Sequence, residues 1–391
     1  MPTPPRGFVG AGDRSSRLGL CRIAAQAKED LFGTKNTHDV STASYIWIAD
    51  EFGHWTYGVL SGLAICAIWH WVAGRFCMAP GWTSFGYVAL VCASFGTWVW
   101  KERADLADDR GRAEAGVFPL DTSDIAWNVT TVLLYVGLGL ALGLAAYAAP
   151  WWLLVVIPLT LWWGLAVAVW WLRRAIAFQQ AGGPYLYRLA TFKTPFAGTA
   201  ARKQEQVGLV ASMAALANRA VSLWDVCLGT VPAPTIPEPA CRHLLVTGPL
   251  HSGKTSLVTG IVAEFAFAHG AARYLTPIDL LESLASTQDD TVPMEFVDGR
   301  WLWKVRDAEL IVVDDLDAAV PAPGGAGRLV EPEAFERAVQ AVGGTLAPLA
   351  WMAEKRTVWV IGEAAGAPAW RQTIAGLMGI RPEDFGIIEL A

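Results

Sequence analysis

Two short stretches hold side chains whose types and spacing can do chemistry. The first is Gly248, Pro249, Leu250, His251, Ser252, Gly253, Lys254, Thr255 and Ser256, which satisfies G-x-x-x-x-G-K-[ST] in full. An apolar run, His243-Leu-Leu-Val-Thr247, precedes it, and a helical pattern from Lys254 to His269 follows. Gly248 and Gly253 allow the chain to wrap a phosphate at close range, while backbone N–H groups of the loop and the helix start point at the anion. In that cradle Lys254 neutralises β- and γ-phosphates and Thr255 ligates Mg²⁺. The second stretch is Glu309-Leu-Ile-Val-Val-Asp314-Asp315-Leu-Asp317. Four apolar residues predict a buried parallel strand, and a carboxylate at its C-terminal end would reach the metal shell from the neighbouring strand. Asp314 is assigned to Mg²⁺, directly or through water, and Asp315 to polarising the attacking water. Asp317 reads as a cap or surface residue.

The elements that must position these groups alternate along residues 241–391. Strands are predicted at 243–247, near 273–276, at 310–314, 357–361 and 385–390, with helical patterns between them. The fold class is α/β with a parallel sheet and the ligand at its C-terminal strand edge. The motif pair resembles Walker A and Walker B of the P-loop NTPases, and the Asp314-Asp315 ending is similar to the AAA+ group, particularly its DnaA/DnaC-like members. That resemblance covers roughly Arg242 to Ala391 and implies ATP with Mg²⁺. It also implies a sensor near Gly362-Glu363, where Glu363 replaces the family's usual Asn or Thr. An arginine finger is implied at Arg381, with Arg371 as the alternative. The helical lid that the family carries after the last strand is not expected here, so a switch or slow ATPase fits better than a processive motor. No L-S-G-G-Q lies between Thr255 and Val313 and no N-K-x-D follows Asp315, which sets aside ABC-type ATPases and GTPases.

The other half of the chain is apolar. Mean hydropathy is +0.35 with 17% charged residues, and most of the 20 tryptophans fall between residues 47 and 171. Four stretches approach the roughly 20 residues needed to cross a bilayer as helix: Tyr57 to Ala73, Trp82 to Trp100, Val129 to Ala149 and Trp151 to Leu172. The last two form a charge-free hairpin turned at Pro150, Trp151 and Trp152. Pro158 is placed to kink the fourth, and Gly139 with Gly143 would admit a close helix. His70 reads as an interfacial or helix-pairing group. Lys and Arg gather before the first stretch, in the 101–128 loop and at Arg173-Arg174, so the N-terminus and the C-terminal half are expected on the cytoplasmic side of a bacterial inner membrane. No cleavable export signal is expected at the N-terminus, and the six cysteines show no metal or disulfide spacing.

Between these halves, Lys203 to Leu228 has amphipathic helical spacing through Val207, Val210, Met213, Leu216 and Leu223, and Thr230 to Ala240 is a proline-rich spacer. The expected organisation is a cytoplasmic segment at 1–55, a four-helix membrane domain at 56–174, a connector at 175–240 and the nucleotide domain at 241–391. From Arg242 onward there are 12 Lys+Arg against 20 Asp+Glu, which argues against nucleic acid as a partner. Arg300 to Arg306 accordingly reads as a strand with cross-strand aromatics. The expected function is a membrane-anchored ATPase driving a switch or assembly, in a homo-oligomer or with a further protein partner. A non-hydrolysing ATP-sensing scaffold or pore, and a membrane-anchored DNA translocase, are the other classes the sequence leaves open.

Overall fold

The computed structural model describes residues 24, 40–114, 117–118, 122–214, 238–268, 270–285, 294–297, 300–317, 330–344, 347–362 and 364–391. Glu363, Leu216, Leu223 and most of the proline-rich spacer lie outside them. Four long helices come first: α1 Val40–Arg75, α2 Pro80–Glu114, α3 Thr122–Ala148 and α4 Leu153–Ala181. Among the described residues, three segments are long and apolar enough to cross a membrane, Ala49–Arg75, Val129–Ala148 and Pro150–Ala181. The apolar stretch of α2 is not among these, because Thr83, Ser84, Gly86, Ser94, Gly96 and Thr97 dilute it.

Small residues set the closest helix contact. Gly58 and Gly62 on α1 face Gly139 and Gly143 on α3, and a methyl group at Gly62 would sit 2.8 Å from the Leu140 carbonyl oxygen. The partner anticipated for the Gly139/Gly143 pair is thus this chain's own first helix. His70 joins α1 to α2, its Nδ1 sharing a 3.0 Å hydrogen bond with the Tyr87 hydroxyl. A short 3-10 turn, Pro150–Trp152, links α3 to α4, and its two indoles stack 4.4 Å apart on the surface.

α4 runs past Arg173-Arg174 to Ala181 before Gly182 ends it in the left-handed conformation. It continues because its last turns are covered: Ala175 and Ile176 are buried, and Phe178 and Ala181 join the core of the C-terminal half. The same core takes Leu189, Phe192 and Phe196, and Val210 and Met213 from α5 (Ala200–Met213). The boundary expected at residue 240 is therefore not a break in packing.

That half is built on five parallel strands: β1 His243–Thr247, β2 Ala272–Leu275, β5 Leu310–Val313, β6 Arg356–Val360 and β7 Phe385–Glu389, in the order β2-β5-β6-β1-β7. Alternation splits their side chains between two cores. Leu244, Val246, Val312, Val358 and Ile388 face α6 (Lys254–Phe267), α5 and the end of α4. Leu245, Leu275, Ile311, Val313 and Trp359 face the opposite layer, α7 (Pro277–Ala285), α8 (Pro332–Gly343) and α9 (Ala367–Met378). Outside the sheet, β3 Met294–Val297 and β4 Arg300–Trp303 form an antiparallel hairpin with Met294 opposite Trp303. The Arg300 stretch is thus a strand, and an Arg273–Glu295 ion pair of 3.0 Å ties its partner strand to the sheet edge.

His243, on the interior strand β1, is buried and shares a 3.0 Å hydrogen bond with the Thr357 hydroxyl, and burial lowers its pKa to about 4. The unfolded chain therefore binds a proton that the folded one refuses between the ordinary 6.5 and that value. Stability should be full above pH 6.5 and fall by at most about 3 kcal/mol as pH drops toward 4. The thermal midpoint of the detergent-solubilised chain across that range checks this, and His243→Gln should flatten the dependence.

Candidate phosphate-binding site

β1 leads into the glycine loop and the loop into α6. The turn is held by Gly248 N–H donating to the Gly362 carbonyl (3.2 Å) and Ser252 N–H donating to that of Pro249 (3.2 Å). Three of its residues take positive φ, Gly248 at 159°, His251 at 62° and Gly253 at 86°. Gly253 is needed on two counts, since a side chain there would meet both that φ and the Thr194 hydroxyl at 3.1 Å. Gly253 also begins α6 with no side-chain cap, so the first amides of that helix lack a capping acceptor. The Lys254 ammonium turns back over the loop and donates to the carbonyls of Gly248 (2.9 Å) and Pro249 (2.8 Å). Ser252 is buried, and its hydroxyl has no hydrogen-bond partner among the described residues.

The acidic stretch approaches from the same sheet face, though not from an adjacent strand. β6 lies between β1 and β5, which corrects the expected neighbouring arrangement. Chain order does not dictate strand order: α6 crosses over to β2 at the sheet edge, and the chain then returns inward through β5 and β6. Val312 faces α6, so Asp314, two residues on, projects to that side as well. Asp314 is fully buried, accepting the Tyr274 hydroxyl at Oδ2 (2.7 Å) and the Asp315 N–H at Oδ1 (2.9 Å).

Asp315 has φ 55° and lies at the surface. Desolvation in the crevice, then the carboxylates of Asp314 and Asp317, push its carboxyl above the ordinary range, while the Lys254 ammonium pulls it back. That mutual influence places Lys254 and Asp315 in one electrostatic neighbourhood. Asp317 does act as a cap: both its oxygens accept the Gly362 N–H at 2.7 Å, fixing the chain where β6 ends.

Thr255 and Ser256 occupy the first turn of α6, and the Ser256 hydroxyl shares a 2.9 Å hydrogen bond with that of Tyr185. Pro249 and Leu250 are exposed at the loop tip. Arg381 is not brought to this site. It precedes β7 at the opposite end of the strands, exposed, with Asp384 (2.9 Å) and Glu383 (3.5 Å) as ion-pair partners. Arg371 is on α9, its Nε buried with no hydrogen-bond partner among the described residues.

These residues fit a phosphate chain. The uncapped helix start, the orphaned Ser252 hydroxyl and the ammonium parked on loop carbonyls all call for an anion. No group of three or more His, Cys, Asp or Glu side chains among the described residues could hold a metal alone. Tyr274, Tyr185 and Thr194 belong to neither motif, and sequence reading missed them.

The raised Asp315 carboxyl means that the fold disfavours its charge, so stability is lost as pH rises through its folded pKa. Asp315→Asn keeps a residue that tolerates positive φ. It should raise the thermal midpoint at pH 7 and leave it unchanged below the carboxylate range, whereas Asp315→Ala gains less because alanine resists the left-handed conformation by about 1 kcal/mol. Comparison of this chain with known protein families, characterised proteins and solved structures finds no match.

Proposed function

We propose that this chain is a membrane-anchored ATPase whose nucleotide binding and hydrolysis drive a switch or assembly in a membrane complex. One observation carries the reading: the Lys254 ammonium lies across a glycine loop with an unpartnered buried hydroxyl, on the sheet face toward which Asp314 also projects. In this reading Lys254 leaves the Gly248 and Pro249 carbonyls for the β- and γ-phosphates, and the loop amides and Ser252 take the remaining oxygens. Thr255 and Asp314 hold Mg²⁺, which when bound neutralises phosphate charge and orients the terminal group. Asp315, exposed beside them, orients and polarises the attacking water. Arg381 would act only in the site of a neighbouring copy, which makes a homo-oligomer the form that uses it.

Four spans are part of the proposal. The α2 side chains Trp82, Phe85, Val88, Leu90, Val99 and Trp100 are exposed, as a lipid-facing helix requires, which supports α2 as the fourth. The basic residues flanking the spans favour a cytoplasmic site at a bacterial inner membrane.

Binding of a fluorescent ATP analogue and phosphate release by the purified full chain test the reading. Lys254→Ala should lose binding, whereas Asp315→Asn should keep binding and release phosphate about 100- to 10,000-fold more slowly. Tight binding by Lys254→Ala would remove the site, and equal turnover by Asp315→Asn and the parent would remove hydrolysis.

A further inference from the structure

We infer that Tyr274 is the positioning residue that sets Asp314 for the metal, an assignment resting on the nucleotide reading above. Asp314 is wholly buried, and no cation is paired with it among the described residues. A desolvated carboxylate in that position needs strong donors. It has two: the amide of its own neighbour, Asp315, at 2.9 Å, and the Tyr274 hydroxyl at 2.7 Å. The amide comes with the chain, but the hydroxyl is a choice of residue. Phenylalanine would fill the same space in the core, and only tyrosine reaches the carboxylate.

The backbone that carries the ring is also held in place. Tyr274 pairs in register with Val312, and the Asp314 N–H donates to the Leu275 carbonyl at 2.9 Å, so donor and acceptor ride on two hydrogen-bonded strands. From outside the sheet, Gly182 at the end of α4 lies at contact range of the Tyr274 carbonyl oxygen. Each oxygen of Asp314 then spends one lone pair on a fixed donor and keeps another for a ligand, in one rotamer. That is what an outer-shell partner does for a metal-binding carboxylate. A second hydroxyl, that of Tyr185, bonds Ser256, the residue after Thr255 in the first turn of α6.

Tyr274→Phe in the full chain, in detergent, tests the assignment with a fluorescent ATP analogue, first in EDTA and then titrated with Mg²⁺. Metal-free affinity should stay near that of the parent and the thermal midpoint should fall by a few degrees, because a buried carboxylate loses one of its donors, while the Mg²⁺ concentration at half-effect rises about 10- to 100-fold. In an Asp314→Asn background the same change should add nothing further. An unchanged Mg²⁺ titration, an additive effect in that background, or an equal fall of metal-free and metal-bound affinity would each overturn the assignment and leave the nucleotide site standing. Failure of the parent to bind the analogue under either condition would remove the site and the assignment together.

Discussion

The buried carboxylate of Glu264 is the constraint around which the two halves of the molecule are joined. It sits on α6 and is received by Arg188 through two hydrogen bonds of 2.7 and 3.1 Å and by the Leu189 N–H at 3.3 Å. Breaking such a buried pair by removing one partner costs about 3–5 kcal/mol, because the remaining charge is stranded. One turn on, Phe267 lies beneath the guanidinium groups of both Arg174 and Arg188, at 5.4 and 5.1 Å. Arg174 comes from the long apolar helix α4 and Arg188 from the segment after it. The helix that starts at the glycine loop is therefore clamped, at its far end, by the continuation of a candidate membrane span.

This arrangement gives the proposed switch a physical path. The N-terminus of α6 faces the phosphates in that reading and its C-terminus carries Glu264 and Phe267, so a shift of α6 along its axis acts on α4 without passing through a loop. Close packing leaves little room for the motion to dissipate: a methyl group on Gly260, midway along α6, would lie 2.7 Å from the Leu189 side chain. The segment after α4 then continues past Gly253 through Thr194 and pairs with the end of β7, where the Ala197 N–H donates to the Glu389 carbonyl at 2.7 Å. Residues 185–197 thus touch both the loop and the far sheet edge.

Sequence made some of this legible. The five parallel strands stand within about one residue of the runs read from their apolar pattern, since β1, β5 and β6 are buried throughout and each run is bounded by turns. The extension of α4 was hidden because Arg173-Arg174 mark a membrane edge equally well whether the helix stops or continues onto protein. Strand order was hidden for another reason: alternating elements give the sheet type, while the path of each crossover is decided by packing of whole helices. β3 was missed because Met294-Glu-Phe-Val is too short and mixed to signal a strand, although its partner at Arg300 was read from its aromatics. Gly139 and Gly143 announced a close helix contact, but nothing in the sequence said that Gly58 and Gly62 would fill it.

The two adjacent carboxylates show how one backbone feature separates two tasks. In an unbroken strand, Asp314 and Asp315 would point to opposite faces, one toward α6 and the other into the second core beside Val313 and Trp359, where a carboxylate has no partner. The left-handed turn at Asp315, φ 55°, ends the alternation and swings the second carboxylate out to the surface of the crevice. Aspartate is among the few side chains that accept that conformation at small cost. Asp314 is left dry and fixed by two donors, and Asp315 is left at the surface with a pKa raised chiefly by partial desolvation. In the proposed reading the acidic pair is one turn of chain that places two carboxylates of different solvation on the same side of the sheet.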